Sequence, residues 1–176
     1  MTEADVVDIA RRIHAHDVSL WGATPEIRSI VGQRLGWLDA PDWLNENREQ
    51  LTTWARDIRG QGFARVVVLG MGGSSLAAQA LAGVLGKTEQ GLPLVVLDTT
   101  HPEAIAATAA AASLSQTLFI SASKSGTTIE VSALTAYFYQ QVKAELGSAA
   151  GENFVAITDA GSALQRYAED HDFRRC

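Results

Sequence analysis

The sequence predicts an α/β fold in which helices cover both faces of a parallel β-sheet, a three-layer sandwich. Two observations predict it. The chain contains short, nearly continuous apolar runs that are rich in β-branched residues. From residue 62 onward, these runs alternate with segments of helical spacing. Continuous apolar runs are typical of strands buried on both faces, and such strands occur mainly in parallel sheets. Right-handed crossovers then place the connecting helices in the two outer layers.

The part of the chain before residue 62 has the spacing of helices and turns only. Apolar residues recur at helical intervals over 3–16, Thr24 can cap a helix that begins at the following proline, and Asp42 can cap another that reaches about residue 58. We therefore expect an N-terminal helical segment over 1–61 and an α/β domain over 62–176.

The α/β domain is expected to contain four strands and four helices. The apolar runs predict strands over 64–70, 93–98, 117–123 and 153–159. Helical spacing and terminal glycines or prolines predict helices over 75–85, 102–112, 128–146 and 162–170. In the third helix, Leu134, Phe138 and Val142 repeat every four residues and form a face directed at the core.

Two loops of this domain concentrate glycines and hydroxyl groups. "LGMGGSSL" (69–76) follows the first strand, and "SASKSGTTIE" (121–130) follows the third. We expect the strand order 2-1-3-4, which makes these two strands neighbours and brings both loops to one crevice at the carboxyl edge of the sheet.

The chemistry of the two loops suits a phosphate group. Each loop leads into a helix, whose first amide groups and positive dipole end attract anions. Lys124 adds a positive charge, and a phosphate ester carries roughly −1.5 to −2 at neutral pH. Two other interpretations stay open: the serines and threonines cap the helices, or "GMGGSS" with Asp98 binds a dinucleotide, although Ser75 replaces the third glycine of that motif.

The composition limits the partners. The 176 residues carry a net charge of −6, which gives no basic surface for nucleic acid or an anionic membrane. One cysteine, Cys176, excludes a disulfide framework, and neither a signal peptide nor an apolar run of membrane-spanning length is present. We expect a cytoplasmic protein that holds no metal and no cofactor.

Together, "GMGGSSL" and "SASKSGTTIE" resemble the sugar isomerase (SIS) fold, in particular the glucose-6-phosphate isomerase family. The upstream "SLWG…QRLGWLDAP" is similar to the segment that enters the isomerase half of bifunctional transaldolase/glucose-6-phosphate isomerases. The resemblance covers about residues 17–176. It implies a flavodoxin-like sheet that binds a sugar 6-phosphate and, in the complete enzyme, interconverts glucose 6-phosphate and fructose 6-phosphate.

The resemblance also implies roles for individual residues. The phosphate would be held by a set of hydroxyl and ammonium groups: Ser123, Lys124, Ser125, Thr127 and Thr128. The sugar would lie against Gly72, Gly73, Ser74 and Glu130. Glu130 is equally explained as an acid that complements the helix dipole. His101, after the second strand, either contacts the substrate or belongs to the helix entry.

The family's enzymes contain two SIS domains, and the resemblance implies that this chain ends near the fifth strand of the first. No residue here matches the family's catalytic base, so we expect the chain to be inactive alone, with no catalytic residue of its own. A homodimer or an association with the second SIS domain is expected. The alternative is a phosphosugar-sensing module without catalysis.

Overall fold

The computed structural model describes residues 2–22, 24–86 and 91–176. The chain divides into two compact units, Met1–Ala55 and Arg56–Cys176. The boundary lies inside a long helix, Ala40–Gly60, which contributes residues to both units. No helix within the described residues is long and apolar enough to cross a membrane.

The first unit is helical, as the sequence predicts. It contains α1 (Glu3–His14), α2 (Pro25–Gly32) and most of α3 (Ala40–Gly60), with short 3-10 turns at Val18–Leu20 and Gly36–Asp39. Thr24 caps α2 as predicted, because its hydroxyl oxygen accepts a hydrogen bond from the Ile27 amide at 3.4 Å.

The predicted start of α3 is wrong. Asp42 does not cap this helix but lies in its first turn, where its charge complements the helix dipole. The cause is the 3-10 turn at Gly36–Asp39, whose last residue leads directly into Ala40 in helical conformation. A helix that continues from a preceding turn receives its first hydrogen bonds from that turn and does not depend on a side-chain cap.

The second unit has the predicted α/β architecture. Its strands are β1 (Arg65–Gly70), β2 (Leu94–Leu97), β3 (Thr117–Ala122) and β4 (Phe154–Ile157). Its helices after α3 are α4 (Gly73–Leu85), α5 (Pro102–Ala110), α6 (Ile129–Leu146) and α7 (Ala163–Asp170). Each of these strands and helices differs from its predicted range by at most two residues at either end. The fold class is therefore confirmed.

The four strands form one parallel sheet in the order β2-β1-β3-β4, which confirms the predicted order. Leu69 lies opposite Leu97, Gly70 opposite Ala122, and Ala122 opposite Ile157, so the carboxyl ends of the strands are level. Beyond α7, Arg175 forms a single parallel bridge with Val155 of β4.

The core lies between the sheet and the layer that contains α5 and α6. Phe119 of β3, Phe138 of α6 and Phe154 of β4 are fully buried there. The Phe119 ring centroid is 4.8 Å from that of Phe138 and 5.0 Å from that of Phe154, within the range of favourable aromatic packing. This packing fixes α6 against β3, and the loop that joins them is thereby fixed at both ends.

A buried hydroxyl pair also joins β3 to α6, with Ser121 Oγ 2.8 Å from Thr135 Oγ1. We expect Thr135→Val to lower the free energy of unfolding by about 1 kcal/mol, because it leaves the Ser121 hydroxyl buried without a partner. Adding Ser121→Ala should restore most of the loss, since both polar groups are then gone. Urea unfolding of the wild type and the variants tests this, and a double variant less stable than Thr135→Val would contradict it.

Candidate functional site

Two helix starts meet at the carboxyl edge of the sheet. The loop after β1 enters α4 at Gly73, and the loop after β3 enters α6 at Ile129. Because Gly70 and Ala122 are register partners, both loops leave neighbouring strands at the same level. Neither helix start receives a side-chain cap hydrogen bond in the described chain. Two helix N-termini, whose positive dipole ends attract anions, therefore follow neighbouring strands at one edge of the sheet. At the start of α4 the Ser74 and Ser75 amides donate to the Met71 and Gly72 carbonyls.

The loop 123–128, which we call the hydroxyl loop, is organised by hydrogen bonds of its own. Ser123 Oγ lies 3.0 Å from Thr128 Oγ1, and Ser125 Oγ lies 2.9 Å from Thr127 Oγ1. The Gly126 amide donates to the Ser123 carbonyl at 3.1 Å and closes the turn. These contacts hold the hydroxyl groups in place before any ligand arrives, which lowers the entropy lost on binding.

The residues of the hydroxyl loop differ in their exposure to solvent. Ser123 is buried and Thr128 is half-buried, so these two form the base of the loop. Lys124, Ser125 and Thr127 are exposed at its rim. All five residues that the family resemblance assigns to phosphate binding therefore lie in one compact turn, with donor groups at its surface.

A third loop, residues 158–162 after β4, contacts the hydroxyl loop through hydrogen bonds and an ion pair. The Asp159 amide donates to the Lys124 carbonyl at 3.0 Å. The Asp159 carboxylate accepts from Lys124 Nζ at 2.7 Å. The sequence analysis missed Asp159, although the signal was present: strand order 2-1-3-4 puts "TDAGS" (158–162) beside the hydroxyl loop.

Gly126 shows how closely the two loops pack. Its φ of +66° lies in the left-handed region that side chains disfavour. A Cβ atom there would approach the Ser162 Cβ to 2.7 Å and the Leu164 amide nitrogen to 2.8 Å. The start of α7 therefore occupies the space beside the hydroxyl loop.

The residues assigned to the sugar lie around the same edge. Gly72 and Gly73 are exposed and Ser74 is half-buried at the start of α4. The next residue, Ser75, is buried, and its hydroxyl donates to the Gly72 carbonyl at 2.9 Å. Glu130 is exposed in the first turn of α6, a position suited both to a ligand contact and to the helix dipole.

His101 is the N-cap residue of α5 and follows β2, the strand that pairs with β1 in the sheet. It is exposed, and its side chain makes no capping hydrogen bond in the described chain. Its backbone amide donates to Thr99 Oγ1 at 3.1 Å. His101 therefore follows a strand next to the one that carries the first loop.

A separate cavity of about 390 Å³ lies between α5 and α6. Its walls are mostly apolar and include Ile105, Leu134 and Tyr137. It contains no lysine or arginine and does not have the chemistry of a phosphate site. This cavity is therefore not an alternative phosphate site.

Comparison with known proteins identifies the family. The family model described as phosphoglucose isomerase matches residues 46–172, most of the chain. The chain belongs to the phosphoglucose isomerase family. The resemblance drawn from the two loops is thus confirmed at the level of the family.

Two curated members of the phosphoglucose isomerase family show how much of it this chain represents. A glucose-6-phosphate isomerase of Thermus thermophilus is 32% identical over 148 residues, which is 81% of this chain and 33% of the relative. That of Geobacter sulfurreducens is 30% identical over 187 residues, which is 92% of this chain and 33% of the relative. The chain spans about a third of the length of these relatives.

Solved structures have the same fold. A hypothetical protein from Thermus thermophilus has a TM-score of 0.72 and 27% identity, over 98% of this chain and 39% of that one. A glucose-6-phosphate isomerase from Chlamydia trachomatis has a TM-score of 0.65 and 23% identity, over 93% of this chain and 29% of that one. At 23% identity, the second likeness shows the fold alone.

Proposed function

We propose that this chain binds the phosphate group of a hexose 6-phosphate between the starts of α4 and α6. We further propose that, at the full length of its curated relatives, a protein with this domain interconverts glucose 6-phosphate and fructose 6-phosphate. The observation that carries the proposal is the pairing of Gly70 with Ala122, which places two helix starts without side-chain caps on neighbouring strands, next to a preformed loop of hydroxyl groups and one lysine.

The proposed roles follow from position. The hydroxyl pairs Ser123–Thr128 and Ser125–Thr127 each offer one O–H proton to a phosphate oxygen, because the other proton of each pair lies between the two hydroxyl oxygens, and Lys124 supplies charge. A neutral hydrogen bond contributes only about 1 kcal/mol net, so useful affinity requires several donors at once. The sugar extends toward Gly72, Gly73 and Ser74, where the absence of a side chain at the two glycines leaves room for it, and Glu130 faces its hydroxyls.

Phosphate binding contributes to isomerisation without performing it. Moving a proton between C2 and C1 of the sugar requires a base next to those carbons. Contacts to the remote phosphate instead hold the substrate in place and supply binding energy for the reacting end. We therefore propose that this chain alone binds the sugar phosphate but does not isomerise it.

Ligand-dependent stability tests the binding. Fructose 6-phosphate at millimolar concentration should raise the free energy of unfolding by about 1–2 kcal/mol if its dissociation constant is submillimolar. Unphosphorylated fructose and NAD should leave it unchanged. Chemical unfolding with each compound provides the measurement. Equal stabilisation by fructose and its phosphate would overturn the phosphate assignment, and stabilisation by NAD alone would favour dinucleotide binding.

A cytoplasmic location belongs to the same proposal. A phosphate dianion crosses a bilayer poorly because charge is costly to move into hydrocarbon. Enzymes that act on sugar phosphates therefore work in the compartment where these esters are made, which we take to be the cytoplasm.

A further inference from the structure

The Lys124 ammonium group already has an anionic partner. Lys124 Nζ is 2.7 Å from Asp159 Oδ2, and the two side chains are 64% and 57% exposed. The pair joins the hydroxyl loop to the loop after β4. A phosphate that binds at the hydroxyl loop must therefore share Lys124 with Asp159 or replace it.

The backbone holds Asp159 in this position. Its amide donates to the Lys124 carbonyl at 3.0 Å, and the Ser123 amide donates to the Ile157 carbonyl at 3.0 Å. Two hydrogen bonds thus fix the backbone of Asp159 beside that of Lys124, so the carboxylate stays within reach of the ammonium group.

The far side of the same loop is fixed as well. Thr158 Oγ1 is 2.8 Å from Ser162 Oγ, and Ser162 caps α7 by accepting from the Gln165 amide at 3.0 Å. Ser162 also borders Gly126 of the hydroxyl loop. Asp159 therefore lies on a short connection that is fixed at both ends and directed toward Lys124.

We propose that Asp159 is an internal competitor of the substrate phosphate for Lys124 and sets the affinity of the site. This inference rests on the proposed function. In the unliganded protein, the carboxylate neutralises Lys124. Because the pair is exposed to solvent, its exchange for a phosphate costs little free energy, but the carboxylate remains close and repels the incoming dianion. Asp159 thereby weakens binding and speeds release without touching the reacting carbons.

The test is the affinity for fructose 6-phosphate, measured by titration calorimetry on the full chain. Asp159→Asn keeps the size and the hydrogen-bonding oxygen of the side chain and removes its charge. We expect it to bind about fivefold more tightly than the wild type, the size expected for exchange of an exposed ion pair. The gain should shrink as salt is added, because screening weakens the repulsion that it removes.

Two further proteins isolate the mechanism. In a Lys124→Ala background, adding Asp159→Asn should raise the affinity by clearly less than fivefold, because only the direct repulsion of the phosphate is then removed and no lysine remains to compete for. Asp170→Asn removes the same charge at the other end of α7, roughly 10 Å from its start at 1.5 Å per residue, and should leave the affinity unchanged.

The outcomes separate this inference from the proposed function. Binding by the wild type together with unchanged or weaker binding by Asp159→Asn would overturn the competitor role and show that Asp159 positions Lys124 instead. An equal gain in the Lys124→Ala background would also overturn it. If none of the proteins binds fructose 6-phosphate, the proposed function is wrong and the competitor role falls with it.

Discussion

Replacing Lys124 with alanine is expected to weaken the binding of fructose 6-phosphate about 30-fold while the chain remains folded. Lys124 is exposed at the rim of the hydroxyl loop, so its removal opens no cavity in the core. A hydrogen bond between charged groups contributes roughly 1.5–3 kcal/mol, which corresponds to a loss of about 10- to 150-fold. Titration calorimetry gives the affinity, and circular dichroism checks the fold.

Lys143→Ala is the matched control for Lys124→Ala. It removes the same charge from the last turn of α6, roughly 20 Å from the hydroxyl loop at 1.5 Å per residue. Its affinity for fructose 6-phosphate should equal that of the wild type. If Lys124→Ala also binds normally, the phosphate does not lie at this loop. If it unfolds, the lysine has a structural role that its exposure does not indicate.

Gly126→Ala is expected to lower the free energy of unfolding by about 2–4 kcal/mol and to remove detectable binding of fructose 6-phosphate. A residue with a side chain at φ +66° costs roughly 1–2 kcal/mol. The new Cβ would also lie 2.7–2.8 Å from Ser162 and the Leu164 backbone, which forces the two loops apart. The shift would move the hydroxyl groups out of register with the start of α6.

Gly147→Ala separates the two causes of this loss. Gly147 ends α6 with φ +62°, and an added Cβ would meet nothing within 4 Å. It should lose about 1–3 kcal/mol, the cost of a side chain at φ +62° and ψ −127°, and keep its affinity for fructose 6-phosphate, because the new Cβ displaces no neighbour. Urea unfolding and titration calorimetry measure both variants. Normal binding by Gly126→Ala, as by Gly147→Ala, would show that contact with the start of α7 does not hold the hydroxyl loop in its binding arrangement.

The fold of the second unit could be predicted from the sequence because several local signals agree there. The "VVVL" run of β1 and the "LFI" run of β3 are apolar on both faces, which few structures other than a parallel sheet satisfy. The glycines after α4 and α6 mark helix ends. The start of α3 could not be predicted in the same way, because Asp42 is a good capping residue and only the preceding 3-10 turn overrides it.

The candidate site could be predicted in part. The predicted strand order placed the two loops next to each other, because neighbouring parallel strands end at one edge of the sheet. The pairing of Gly70 with Ala122 confirms that β1 and β3 are neighbours and end at the same level. The partnership of Lys124 with Asp159 could not be predicted from either loop alone. It depends on a contact between side chains 35 positions apart in the sequence, and on the packing of Ser162 against Gly126, which has no local sequence signal.

A crystal structure of the chain with fructose 6-phosphate tests the central claim most directly. We predict that the phosphate oxygens lie within hydrogen-bonding distance of the hydroxyl loop and the first amides of α6, with the sugar carbons beside Gly72–Ser74. A sugar phosphate bound elsewhere, for instance in the cavity between α5 and α6, or in contact with only one of the two helix starts, would contradict the account.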